Sequence, residues 1–266
     1  MPLLSASNPI GKPFIELLSI DSTNKYAMTL VRSTLLPDGQ GEIQHGTTFF
    51  AHEQTVGKGQ HGKTWSSEKG SNIALSIVLN PYPLSISEQF KLSVLVAVSV
   101  HEFFSRYSGD ETKIKWPNDL YWRDRKAGGI LIESVVRGQK LAANTWQWAI
   151  VGIGLNINQT SFPPNLPNPV SLKQITGKTF VPIELAKDVC LILEGNYQLL
   201  VSGKYELLFS KYSDILYKKN EKVKFKRASR IFEATVKGVS ETGQLITQHA
   251  IEERFEFGSI EWLLNN

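Results

Sequence analysis

The chain has 266 residues, 41% of them hydrophobic and 20% charged, and it carries 29 basic residues, 25 acidic residues and one cysteine. That is the composition of a soluble globular protein able to bury a core without staples, and the lone Cys190 excludes an internal disulfide framework and fits a reducing compartment. The net charge of +4 does not by itself imply a nucleic-acid partner, the most apolar stretches (Ile73–Leu79 and residues 92–100) are far shorter than the roughly 20 residues of a membrane helix, and the first residues lack a basic region followed by an apolar one, so a cytoplasmic chain without a signal peptide is expected.

In chain order, residues 14–19 form a short apolar strand, and Ser22 or Thr23 then caps a helix running through Val31. Residues 36–45, rich in Gly, Asp and Gln, read as a loop. Residues 47–51 and 72–79 read as strands, separated by a glycine-rich stretch, and Pro81 and Pro83 end the second. Ser85 and Glu88 make a capping box for a helix whose apolar residues Phe90, Val94, Leu95, Val98, Phe103 and Phe104 stop near Gly109. Residues 113–116 form a strand ended by Pro117, Asn118-Asp119 is a turn, and residues 120–122 and 129–136 form a hairpin around 124–126. Residues 146–155 are a further strand, residues 163–169 a proline-rich loop, and helices run from Pro182 to about Asp214. From Glu221 onward the pattern alternates with period two, with Gly238 and Gly243 at turns, as in a small β-barrel. A boundary near residues 215–220 divides the chain into units 1–216 and 217–266.

Four stretches carry chemistry. Gly57-Lys58-Gly59-Gln60-His61-Gly62-Lys63 has G-x-G-x-x-G spacing, but no helix of 3.6 periodicity follows, which argues against a dinucleotide fold. The loop can wrap an anion, and it reads equally as a surface turn. In Lys115-Trp116-Pro117-Asn118-Asp119 a strand delivers a lysine and a proline-fixed turn presents Asn and Asp, which suits phosphate and a hydrated Mg2+; an ordinary turn has the same residues. Arg125-Lys126-Ala127-Gly128-Gly129-Ile130-Leu131-Ile132-Glu133 brings bare backbone and a cation to a strand, or is a hairpin with solvated charges. Gly152-Ile153-Gly154-Leu155-Asn156 needs something packed against its glycines, and Asn156 needs a partner, which can simply be a loop that it ties down.

Together with Ser22-Thr23-Asn24, Gln54 and Trp65, these stretches in this order resemble the biotin–protein ligase family (biotin–[acetyl-CoA-carboxylase] ligase, holocarboxylase synthetase) across residues 21–158. With only about 20 residues ahead of Ser22, the likeness is to the monofunctional form without an N-terminal helix-turn-helix domain, and no DNA binding is expected. The resemblance implies an α+β fold, a mixed or antiparallel sheet with helices of the class II synthetase-like biotin/lipoate ligase type, followed by an SH3-like β-barrel. It implies formation of biotinyl-5′-AMP from biotin and ATP, then transfer to a lysine of a biotin carboxyl carrier protein. ATP and Mg2+ are co-substrates, and no tightly bound prosthetic group, no membrane and a monomer or weak homodimer are expected.

By the same resemblance, Ser22, Thr23, Asn24, Gln54, Gly57, Lys58, Gly59, Trp65, Lys126, Gly128 and Gly129 bind biotin. Lys58, Gln60, His61, Lys63, Lys115, Asn118 and Asn156 face the nucleotide, with Asn118 at Mg2+, and Lys126, Lys115 and Asp119 are catalytic. The family's loop is often arginine-rich; here Lys58 keeps a charge without the guanidinium fork and Gln60 is neutral. The alternative is a lipoyl or octanoyl ligase of the same fold; octanoyl transferases use a cysteine nucleophile, whereas Cys190 sits in an apolar helical stretch. The basic run from Lys218 to Arg227 reads as a solvated strand face, with acidic partners or nucleic acid as the sharper reading, and the spacing of His45, His52, His101 and His249 predicts no zinc site.

Overall fold

A computed structural model describes residues 8–35, 42–137 and 145–264; residues 36–41 of the expected loop lie outside that range. The elements run β1 (Phe14–Leu17), α1 (Thr23–Thr34), β2 (Thr48–Ala51), β3 (Gly57–Lys58), a 3-10 turn (Gln60–Gly62), β4 (Thr64–Trp65), β5 (Ile73–Leu79), a 3-10 turn (Ile86–Glu88) and α2 (Gln89–Ser108). There follow β6 (Thr112–Lys115), β7 (Asp119–Trp122), β8 (Arg125–Arg137), β9 (Thr145–Leu155), α3 (Leu172–Thr176), α4 (Pro182–Val201) and α5 (Tyr205–Asp214). The last strands are β10 (Lys222–Arg227), β11 (Arg230–Val239), β12 (Leu245–Gln248), β13 (Glu252–Phe255) and β14 (Glu261–Leu263).

A seven-stranded sheet with the order β1-β2-β5-β9-β8-β7-β6 forms the frame. Only β1 and β2 run parallel; the other pairs are antiparallel. Period-two alternation decides its two faces. Ile73, Leu75, Ile77 and Leu79 of β5 and Val151, Ile153 and Leu155 of β9 point into the main core, against α2 and α4. The capping box at Ser85 and Glu88 opens this layer, and α2 buries Leu92, Val94, Leu95, Val98, Phe103 and Phe104 before Gly109 stops it. Truncating one of these phenylalanines would cost about 3–5 kcal/mol. The intervening β residues, Val78 and Ile150 with Phe49 and Val135, face the other way and take Ala27 and Val31 of α1.

Three local details come from the structure, the second of them within the expected helical region. Asp119 opens β7, so the turn is Trp116–Asn118, around a cis Trp116–Pro117 bond. The helical region from Pro182 is two helices, broken at Gly203, whose φ of +75° favours glycine. A short helix, α3, follows the proline loop; Ser171 and Gln174 form its capping box.

The second sheet is wholly antiparallel, with the order β13-β12-β11-β10-β14. Its core of Val223, Phe225, Ala234, Val236, Leu245 and Phe255 is continuous with that of the large sheet. Two contacts tie it to the site described below: Trp116 Nε1 donates to Gly243 O at 2.8 Å, and Trp262 approaches the end of β6. Among the described residues no helix is long and apolar enough to cross a membrane.

Candidate active site

The face of the large sheet turned away from α2 and α4 carries a trough of missing side chains. Register aligns Lys115, Asp119, Gly129, Gly154 and Ala74 in one row across β6, β7, β8, β9 and β5. The next row is Leu131, Gly152, Ser76 and Phe49. The glycines therefore stand where two rows would otherwise place side chains. Two of the three are bare because another side chain fills the space. A Cβ on Gly154 would lie 2.7 Å from the Trp65 ring, and one on Gly152 would lie 2.4 Å from Asn24 Oδ1. Gly128, whose Cβ would face the core, would press it onto Leu155 Cδ2 at 2.5 Å.

One end of the trough is closed by the first turn of α1. Ser22 caps the helix, its hydroxyl accepting from Lys25 N. Ser22, Thr23 and Asn24 are all buried. Gln54 Oε1 accepts from Thr23 N at 2.8 Å and lies 3.1 Å from Thr23 Oγ1. Ser76 Oγ lies 2.7 Å from Thr23 Oγ1 and 2.6 Å from Asn24 Oδ1, and Asn24 Nδ2 donates to Glu133 Oε2 at 2.9 Å. Every polar atom of the Asn24 side chain is thus engaged within the protein.

The other end is charged. A bulge between Leu120 and Tyr121 lets Lys126 turn back over the sheet, where Lys126 Nζ meets Asp119 Oδ1 at 2.6 Å. Both side chains stay partly open, 31% and 21% exposed. Lys115 lies over the rings of Tyr121 (5.1 Å) and Trp262 (5.7 Å). Burial holds its pKa below the usual 10.5; Asp119 and Glu261 oppose that shift, whereas Lys126 and Lys63 reinforce it. Three lysines therefore converge on a small acidic complement, an arrangement that favours an incoming anion.

The glycine loop spans the trough. Gly57 and Lys58 pair with Trp65 and Thr64 as β3 and β4, and Gly59 N donates to Lys63 O at 2.7 Å. Gln60 Nε2 reaches Ile130 O at 3.4 Å, Lys58 and Lys63 are exposed, and the side chain of His61 lies outside the described residues. Trp65 covers Gly154, and its buried Nε1 has no partner among the described residues. Asn118 Nδ2 is pinned to Ile130 O, and Ile130 N returns to Asn118 O at 3.0 Å. Asn156 behaves as a tie: its amide donates to Val170 O at 3.1 Å and to Lys126 O at 3.4 Å, holding the segment before α3 against β8. Among the described residues no cluster of three or more His, Cys, Asp or Glu could hold a metal ion.

Sequence reasoning passed over three contributors. Ser76 is the one hydroxyl in the apolar run of β5, and its alternation with Leu75 and Ile77 marks it as facing the trough. Glu133 belonged to a recognised motif without a role. Trp262 comes from the second sheet, a contact with no local signal.

Residues 19–156 match the biotin/lipoate A/B protein ligase family. The chain belongs to that family. It is 32% identical over 183 residues to the bifunctional ligase/repressor BirA of Bacillus spizizenii, covering 67% of this chain and 52% of that protein. It is 29% identical over 170 residues to the biotin–[acetyl-CoA-carboxylase] ligase of Paracoccus denitrificans, 62% of this chain and 64% of that one. The chain thus spans about half the length of the BirA proteins it matches. The fold is similar to that of biotin protein ligase from Aquifex aeolicus in complex with biotin and ATP, with a TM-score of 0.74, 24% identity, and 94% and 98% of the two chains covered.

Proposed function

We propose that this family member is an ATP-dependent biotin–protein ligase acting in the cytoplasm on a biotin carboxyl carrier protein. The observation that carries the reading is the polarity of the trough, with the buried, uncharged side chains of Ser22, Thr23 and Asn24 at one end and a lysine cluster at the other. That polarity fits a ligand with an uncharged ring at one end and a carboxylate, then a phosphate, at the other. Relatives that bear biotin ligase names support the choice of ligand.

In this reading Ser22, Thr23 and Gln54 face the biotin ring, with Asn24 behind them, joined to Thr23 through Ser76. The bare backbone of Gly129 leaves room for the tail beside Lys126, Gly128 precedes it on the same strand, and Trp65, seated on Gly154, and Asn24, seated on Gly152, bound the ring. Lys126 draws the biotin carboxylate and the α-phosphate of ATP together, and Lys115 and Lys63 balance the remaining phosphates. The carboxylate oxygen attacks the α-phosphorus, the bond to the β-phosphate oxygen breaks, and pyrophosphate leaves. The acceptor lysine then attacks the acyl carbon, AMP departs, and Asp119 takes the proton that the amine sheds. Catalysis rests on positioning and charge neutralisation. Asn118, its amide nitrogen engaged by Ile130 O, has its side-chain oxygen left to hold a Mg2+ ion or its waters, and the ion would offset the charge of the triphosphate. We assign residues 1–216 to this chemistry and 217–266 to a barrel that buttresses Lys115.

A cysteine-nucleophile acyl transfer does not fit. Cys190 is buried in α4, and burial pushes its thiol up to about 12.

The test is mass spectrometry of a purified carrier domain after incubation with the protein, biotin, ATP and Mg2+, with lipoate in parallel. A gain of one biotinyl group that requires ATP is expected. A gain with lipoate alone would move the chain to the lipoyl branch, and no gain with either would overturn the reading.

A further inference from the structure

We infer that Glu133 sets the direction of the hydrogen bonds that reach the ligand, acting through Asn24 and Ser76 to turn the Thr23 hydroxyl into an acceptor for an N–H group. This rests on the proposed biotin site and makes Glu133 and Ser76 positioning residues that decide what kind of ring the site takes.

The argument is a count of protons. Asn24 Nδ2 faces Glu133 Oε2 at 2.9 Å and Leu131 O at 3.4 Å, and a carboxylate and a carbonyl only accept. The amide therefore cannot be flipped without setting oxygen against oxygen. Its Oδ1 then faces Ser76 Oγ at 2.6 Å, and since Oδ1 only accepts, the single Ser76 proton goes there. Ser76 Oγ must in turn accept across the 2.7 Å to Thr23 Oγ1, so the Thr23 hydroxyl donates inward. Gln54 Oε1, 3.1 Å from the same hydroxyl and accepting from Thr23 N at 2.8 Å, also only accepts, so it competes for the Thr23 proton and supplies none. What Thr23 Oγ1 has left for a ligand is a lone pair.

A lone pair there rewards a ring N–H, such as those of a cyclic urea, and leaves a dithiolane ring unmatched. Within a family whose members handle biotin or lipoate, that is a criterion for choosing between them. Burial strengthens it, because an unmatched polar atom away from water costs more than a matched one gains. Gly152 belongs to the device, since a side chain there would displace the Asn24 amide.

Glutamine at 133 would remove the anchor. Its own NH2 could face Asn24, the amide could turn, and each hydroxyl in the relay could reverse, freeing the Thr23 proton from Ser76 to be shared between Gln54 Oε1 and the ligand. The experiment measures calorimetric affinities of the full chain for biotin and for the two cyclic carbamate isosteres in which one ring N–H is replaced by oxygen. For the native protein, at least one isostere should bind about 100-fold more weakly than biotin. In Glu133→Gln that ratio should fall by about tenfold or more, and likewise in Ser76→Ala, which cuts the relay at a second point. A merely structural role would weaken biotin and the isosteres alike, and an unchanged ratio in both variants overturns the inference. So does a native protein that binds biotin and both isosteres equally. Failure of the native protein to bind biotin at all would overturn the proposed function and this inference with it, and that result differs from the others.

Discussion

At the α1 end of the trough, Thr23, Asn24, Gln54 and Ser76 are joined by short hydrogen bonds and are mostly closed to solvent. At the β6 end, Lys126 pairs with Asp119, both partly open, and Lys115 lies in the field of that pair, of Lys63 and of Glu261. The first end is complete in itself and can only select a shape and a pattern of donors and acceptors. The second has more cation than anion, and it is completed by what binds. Rigidity suits the part of a ligand that does not react, and unbalanced charge suits the part where charge develops.

The hardest test of that division is Lys126→Ala. Removing one preorganised cation from a reacting centre costs about 100- to 1000-fold in rate. Biotin-dependent exchange of pyrophosphate into ATP should fall that far, whereas biotin affinity should change much less. If affinity collapses in step with exchange, the two ends are one site and the comparison is wrong.

Next in size is Gly152→Ala, which attacks the neutral end. Its Cβ would meet Asn24 Oδ1 at 2.4 Å on a rigid strand. Overpacking of this kind costs about 1–3 kcal/mol, which is about tenfold or more if it falls on binding. Biotin affinity should drop by that factor and the melting temperature by a few degrees, with the KM for ATP little changed.

Asp119→Asn probes the charged end through pH. Burial lowers the pKa of Lys115, and Asp119 opposes that shift. Without the carboxylate, Lys115 loses its proton at a lower pH, and Lys126, freed of its partner, repels it further. Phosphate binding needs the protonated form, so the alkaline limb of kcat/KM for ATP should move to lower pH. Stability carries the opposite sign. Between the depressed folded pKa and the usual 10.5, the unfolded chain holds more protons on this lysine than the folded one, so its contribution to stability rises with pH across that window. An alkaline limb that stays in place would remove Lys115 from the phosphate site.

Much of this was legible in the sequence, and the missing parts share a cause. Strand alternation, the capping box of Ser85 and Glu88 and the requirement that something pack on Gly152 and Gly154 are local signals, and they read correctly. What packs there is Asn24 on one glycine and Trp65 on the other, from segments far away in the chain, and no local pattern names them. The sheet order β5-β9-β8-β7-β6 is likewise a matter of long-range register. It alone brings Ser76 and Glu133 to the same asparagine. Asn156 was ambiguous for a different reason. A buried asparagine needs partners, and both a nucleotide and a loop would satisfy that need; two backbone carbonyls, Val170 O and Lys126 O, take its amide.

The smallest expected effect sits where the second sheet meets the charged end. The Lys115 ammonium lies 5.7 Å from the Trp262 ring, and Glu261 lies next in sequence. A cation over an aromatic face at a partly open site contributes about 0.5–1 kcal/mol, so Trp262→Ala should raise the KM for ATP by about 2- to 5-fold and leave biotin affinity alone. Trp262 also packs on Tyr217 and Phe225, so its loss could act by loosening the small sheet. Phe225→Leu separates the two routes. Phe225 is fully buried in that sheet, and its ring contacts are with Phe232 and Trp262. If the tryptophan steadies the lysine directly, Phe225→Leu lowers the melting temperature with little change in the KM for ATP. Equal rises in KM from both variants would mean that the barrel serves the charged end only by staying docked, through contacts such as Trp116 Nε1 to Gly243 O.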